Sequence, residues 1–318
     1  MEVQLALDAY LEAKSHHIRP KTLSEKRRIL GYFRDFCAEQ NIALESVRPA
    51  TIDVYRDHLL ATHHGKKTAR LSTHTVFLHI ALIKIFLGWC ADEEGMEECV
   101  KPVTVRKIQN PRRDTLIKDV FTKQHILRLL EACQSSDRGN EKLNNYLHSR
   151  DRIIILLLLD TGIRAGELCS LTMNNVHLEK SDPYIRVYGQ KTRSWREVGI
   201  GTRTLTELTR FVNTYRAKEK GSDSCLIRSW RDQPIGAESL AGIIDRWGRV
   251  AKITDVRCSP HTFRHTYATW SARAGMDVLR ISRLLGHSSV KVTENYLKSF
   301  TTIDARRNAI NPADSLVG

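Results

Sequence analysis

Helical periodicity that stops and then restarts constrains this chain more than any other feature. Apolar residues recur at helical spacing from Val3 into a run ending near Cys90, the pattern fails over residues 96–118, and it resumes at Phe121. A chain of 318 residues is long enough for about two domains. Each can bury its own core, and the interruption marks where they divide.

The first stretch reads as four helices. One spans Val3 to Ala13, and a second starts at Thr22, just after Pro20, and runs through Ile29, Leu30, Phe33 and Phe36. A third covers roughly Thr51 to Thr62. The fourth is capped by Ser72 and carries Val76, Phe77, Ile80, Ile83 and Phe86 to an end near Gly88–Cys90. Helices of this length predict a small bundle over residues 1–95. Pro102 and Pro111 then bracket Lys101, Arg106, Lys107, Arg112, Arg113 and Lys118, which predicts an extended basic linker over 96–118.

In the second half, Thr122 can cap a helix, and Arg152 to Leu159 reads as a buried helix leading into Thr161–Gly162. Tyr184–Tyr188 and Trp195–Ile200 read as two strands of a hairpin with Lys191 at its turn. Further helices are expected over 204–219 and 237–251. Ser259 and Pro260 supply an N-cap and a first helical position, and Gly275 stops that helix; Gly286 stops the next, Asp277 to Leu285. The predicted fold class is mainly α with a small β-hairpin or sheet.

Composition narrows the function. An apolar content of 41% excludes intrinsic disorder, and 17 Gly with 8 Pro excludes a collagen-like chain. The net charge is +14, and residues 1–95 are nearly balanced, so the excess sits in the linker and the second half. Such an excess favours a polyanionic partner through phosphate neutralisation and counterion release. The longest aliphatic run, Ile153 to Leu159, falls well short of the roughly 20 residues of a spanning helix. The first residues carry acids and no basic stretch, so no signal peptide, no membrane and a cytoplasmic location are expected. Seven cysteines without a CxxC pair predict reduced thiols rather than a zinc ribbon or a disulfide framework.

His261 and His265 stand four apart, a spacing that can grip a metal. Thr262 occupies the position where a zinc protease needs Glu, and no third ligand lies at suitable spacing, so no metal is expected. No GxxxxGK[ST] loop is present either. What remains is an ordered series: Arg164 in Thr161-Gly162-Ile163-Arg164-Ala165-Gly166-Glu167-Leu168, Lys191 on the hairpin, His261 and Arg264 on one helix, His287 after Gly286, and Tyr296 nine residues on. Singly, each has an ordinary structural reading; Arg164 could simply pair with Glu167.

Taken together, TGIRAGEL, a hairpin lysine, HTFRHT and LLGHSSVKVTENYL resemble the signature of the tyrosine recombinase (phage integrase, Xer-like) family over residues 119–298. The resemblance departs at Phe263, where Leu is commoner, and at Asn175, where Asp is often found. It implies a two-domain DNA clamp: a helical core-binding domain over 1–95, a linker over 96–118, a catalytic domain over 119–298, and a tail over 299–318 that in this family often docks onto a neighbouring protomer.

The resemblance also implies the chemistry. Tyr296 would be the nucleophile giving a 3′-phosphotyrosyl bond, Arg164 and Arg264 the phosphate clamp, and Lys191 the general acid. His261 would be an acid–base partner and His287 a donor to the phosphate, with Glu167 buttressing the Arg164 turn. It calls for no metal, cofactor or ATP, and for a homotetramer on paired double-stranded DNA sites. Lys21, Lys66, Lys67, Arg70, Arg112 and Arg113 are candidate phosphate contacts, with Arg193 and Arg196 better placed beside Lys191. Two other readings stay open: a type IB topoisomerase that nicks and relaxes DNA, and a catalytically silent DNA-binding protein.

Overall fold

A computed structural model describes residues 1–62, 71–96, 98–112, 119–134, 140–287 and 289–296, without the side chains of 295 and 296. The chain forms two compact units, Met1–Leu116 and Ile117–Gly318. In the first, α1 (Val3–Ser15), α2 (Pro20–Glu39), α3 (Pro49–Thr62) and α4 (Thr73–Asp92) surround one core. The second helix opens at Pro20 rather than Thr22, because proline at the first helical position gives up no needed N–H. Ser72 caps α4 by accepting the Thr75 N–H at 3.1 Å.

The bundle closes on aromatic rings. Tyr10 meets Phe86 edge-on at 5.5 Å between centroids, and Tyr55 meets Phe33 at 5.2 Å and Phe36 at 5.3 Å. The buried Tyr55 hydroxyl lies 3.1 Å from His79 Nδ1, so its polar tip is paired. By length and composition alone α4 could cross a membrane, with a mean hydropathy of 1.6. It is instead the core helix of this bundle, burying Val76, Ile80, Ile83, Phe86 and Leu87.

The expected linker is not extended along its first half. Residues Pro102–Lys107 form α5, and Val100 and Ile108 on either side of it are buried in the bundle core. Lys84 Nζ donates to the Ile108 carbonyl at 2.9 Å and fastens the segment down. The basic residues suggested a tether, but the apolar residues between them had a core to join. Arg112, past Pro111, is exposed; Arg113 and the rest of 113–118 lie outside the described residues.

The second unit is threaded by α7 (Glu141–Thr161), which follows α6 (Lys123–Ala132). This central helix starts well before Arg152, at an Asn140 cap, and buries Ile153 to Leu158. Asp151, fully buried, accepts from Arg150 Nη2 at 2.6 Å, Arg246 Nη2 at 3.0 Å and Trp247 Nε1 at 2.8 Å. The charge in the core is therefore paired rather than stranded.

After α8 (Ala165–Cys169) comes a three-stranded antiparallel sheet in the order β1 (Val176–His177), β2 (Tyr184–Gly189), β3 (Ser194–Gly199). Tyr188 pairs with Trp195 and Val187 with Arg196, so Arg196 shares the inward face of its strand with Val198. The remainder is helical: α9 (Thr202–Tyr215), α10 (Ala237–Val250), α11 (Pro260–Arg273), α12 (Val278–Leu285) and α13 (Val290–Tyr296). Ser259 and Asp277 cap α11 and α12.

Gly162 ends α7 in the left-handed region at φ +58°, where a Cβ would stand 2.6 Å from a Tyr267 ring carbon and 2.7 Å from Leu285 Cδ2. Gly162→Ala therefore combines backbone strain with overpacking, about 2–4 kcal/mol together. Gly275, at φ +89° with open space around it, carries the strain alone, about 1–2 kcal/mol for Ala. Urea unfolding of the two variants should rank them in that order.

Candidate active site

The C-terminal end of α12 is where the candidate residues meet. The last carbonyls of a helix lack intrahelical partners and carry partial negative charge. Here three successive ones are taken by three arginines from three elements. Arg196 Nε, on β3, donates to the Leu284 carbonyl at 2.6 Å. Arg264 Nη2, on α11, donates to that of Leu285 at 2.7 Å, and Arg164 Nη2, at the N-cap of α8, to that of Gly286 at 3.1 Å. Arg264 is 3% exposed, and its Nη1 also donates to the Gly162 carbonyl at 2.9 Å.

Glu167 ties two of these arginines together from the other side. Its Oε1 accepts from Arg164 Nη1 at 2.8 Å and Arg196 Nη1 at 3.2 Å. Its Oε2 accepts from the Arg164 backbone N–H at 2.9 Å and Arg196 Nη2 at 2.7 Å. Burial pushes this carboxyl's pKa upward, but Arg196 and then Arg164 outweigh it and hold Glu167 below its ordinary value. The carboxylate stays ionised at neutral pH.

His287 directly follows this helix end, and its Nδ1 lies 2.8 Å from Oγ1 of the buried Thr293 on α13. Burial first, then Arg264, Arg164 and Arg196, lower its pKa to about 3. The ring is neutral at pH 7, because burial and then the neighbouring guanidiniums disfavour its charged form. Helix α13 packs on α11 and α12. Tyr296 is its last residue, and the phenol lies outside the described side chains.

The other expected residues fall in varied places. Lys191 is exposed on the β2–β3 turn, and Arg193 on the same turn is exposed at φ +52°. His261 is exposed in the first turn of α11, with Nε2 3.0 Å from that of the buried His265. Among the described residues no group of three or more His, Cys, Asp or Glu is placed to hold a metal ion. Lys21 is exposed on α2; Lys66, Lys67, Arg70 and the 299–318 tail lie outside the described residues.

Arg196, expected beside Lys191 as a phosphate contact, has a side chain only 12% exposed, and its guanidinium donates to Glu167 and the Leu284 carbonyl. Strand alternation was the available signal, since a residue two before the buried Val198 points inward. Thr293 was also missed, and nothing in the local pattern singles it out.

The phage integrase family model matches residues 119–302, more than half of the chain, and a phage integrase SAM-like domain matches residues 5–99. The chain therefore belongs to the phage integrase family of tyrosine recombinases. Tyrosine recombinase XerD of Staphylococcus aureus is 27% identical over 278 residues, covering 86% of each chain. In fold, the chain is similar to the Tn1549 transposon integrase in complex with transposon right end DNA, with a TM-score of 0.73 at 17% identity over 100% of both chains. It is likewise similar to a lambda integrase dimer bound to a COC′ core site, with a TM-score of 0.72 at 17% identity over 95% of this chain and 97% of that one.

A histidine whose folded pKa lies below its unfolded value of 6.5 contributes stability above that value, and the contribution is lost as pH falls toward 3. An NMR titration of His287 should show no midpoint above pH 5. A midpoint near 6.5 would mean that the ring is neither buried nor set beside the three guanidiniums.

Proposed function

We propose that this chain is a site-specific recombinase that cuts and rejoins double-stranded DNA through a 3′-phosphotyrosyl intermediate on Tyr296, with neither metal nor ATP. The observation that carries the reading is the convergence of Arg164, Arg264 and His287 on the end of α12, against which the helix ending in Tyr296 packs.

A phosphodiester repels nucleophiles, and displacement adds negative charge to its non-bridging oxygens. Guanidinium forks match that geometry better than ammonium groups do. Only two of the five N–H donors of Arg164 are spent on Glu167 and Gly286, and the side chain is 32% exposed. It can thus meet a phosphate without giving up its anchors. The neutral His287 supplies a donor in the tautomer in which Nδ1 accepts from the Thr293 hydroxyl and Nε2 carries the ring proton.

In the forward step the Tyr296 oxygen forms a bond to phosphorus as the bond to the 5′-oxygen breaks. His261 accepts the phenolic proton, and Lys191 on its exposed turn protonates the departing oxygen. The tyrosyl ester conserves the energy of the broken bond, so a 5′-hydroxyl from a second strand can reverse the step on a new partner. Exchange of both strands between two duplexes needs four such sites, hence a homotetramer on paired sites. The helical unit over 1–95 contributes DNA binding, the 299–318 tail contacts a neighbouring protomer, and Lys21, Lys66, Lys67, Arg70, Arg112, Arg113 and Arg193 are the proposed phosphate contacts. Action on DNA supports a cytoplasmic location.

A nicked suicide substrate tests the reading. Wild type should give a protein–DNA adduct that survives denaturation, Tyr296→Phe none, and Arg264→Ala a rate lower by roughly 10²–10³-fold. Strand exchange between two duplexes separates recombination from simple relaxation of supercoils, and a wild-type chain that binds DNA without any adduct would be a silent binder. Arg193→Ala should lower the slope of log K against log salt by about 1.

A further inference from the structure

We infer that Arg196 is a positioning residue for the reaction, setting the Arg164 fork through Glu167 and the end of α12. The inference rests on the recombinase reading above and extends it to a residue that reading leaves without a role.

Arg164 and Arg196 share both of their anchors. Each uses both carboxylate oxygens of Glu167, and each donates to a carbonyl at the end of α12, Gly286 for one and Leu284 for the other. Arg196 is the more deeply set of the two, with a side chain 12% exposed against 32%. It holds the carboxylate in register while Arg164 stays accessible to a phosphate. Without Arg196 the buried Glu167 keeps only Arg164 as a partner. A carboxylate in that position draws the remaining fork onto itself, away from the carbonyl of Gly286.

Gly286 supplies an independent observation. A Cβ there would stand 2.9 Å from Arg196 Nη1 and 3.1 Å from its Cζ. The glycine before His287 therefore leaves space for this guanidinium, besides adopting φ +63° at the helix end. The β3 strand, the glycine and the site histidine meet in one packing arrangement. Since Arg196 stands five residues beyond Lys191, its bond to Leu284 also ties the hairpin stem to the helix end.

The test separates positioning from phosphate contact. In single-turnover cleavage of the suicide substrate at saturating DNA, Arg196→Ala should slow adduct formation by about 10- to 100-fold. DNA affinity and the salt slope should stay at their wild-type values. Arg196→Lys, which offers a point charge but no fork, should fall between. The acid limb of the pH–rate profile should move to higher pH in Arg196→Ala, because Glu167 loses a cation, and the movement should vanish in Arg196→Ala/Glu167→Gln.

A wild-type rate with weakened binding and a salt slope lower by about 1 would make Arg196 a phosphate contact and overturn the inference. So would a slowed rate with an unmoved pH profile, which marks a merely structural residue. If the alanine variant does not fold, the lysine variant carries the same comparison. A wild-type protein that forms no adduct would overturn the recombinase reading itself; adduct formation at equal rates in wild type and Arg196→Ala would overturn positioning alone.

Discussion

The end of α12 is a cluster of unsatisfied carbonyls, and the catalytic unit is organised by what satisfies them. A helix C-terminus inside a protein must find donors or pay for their loss, and hydrogen bonds from charged groups contribute about 1.5–3 kcal/mol each. Arg196, Arg264 and Arg164 each take one of three consecutive carbonyls there. The three are spread over 100 residues of sequence, from Arg164 to Arg264, yet they meet at one helix end. Any element that moved would strand either a carbonyl or a guanidinium, so the cluster holds β3, α8, α11 and α12 in one arrangement.

That arrangement leaves a charge imbalance. Glu167 accepts from Arg196 and Arg164 on its two oxygens, while Arg264 is buried and donates to backbone carbonyls. Burial first, and then the three cations around one anion, keep His287 neutral. The same surplus is the electrostatic counterpart of a phosphate and of the charge that builds on it during displacement. Structure and chemistry thus use the same groups: the donors that finish a helix also prepare a site for an anion.

Much of this was legible from residue types and spacing. Caps at Ser72, Thr122 and Ser259 marked helix starts because a side-chain oxygen there accepts an otherwise unpaired N–H. The hairpin around Lys191 followed from alternation between turn residues. The linker was misread along 96–108 because its charge is exposed and obvious, whereas the burial of Val100 and Ile108 depends on a core formed by residues far away in sequence. The partners of Arg196 were hidden for a related reason: proximity to Lys191 along the strand says nothing about which groups its side chain meets.

By itself, the sequence determined where helices begin and stop, that two units form, and which side chains of the right chemistry recur in a familiar order. Those properties arise from local hydrogen bonding and from the spacing of apolar residues, which the chain carries along its length. Only tertiary structure decided that Arg164, Arg196 and Arg264 share one helix end, that Glu167 serves two of them, and that Gly286 is small on behalf of a strand residue. Such facts depend on distances between elements set by packing, and no local pattern encodes them.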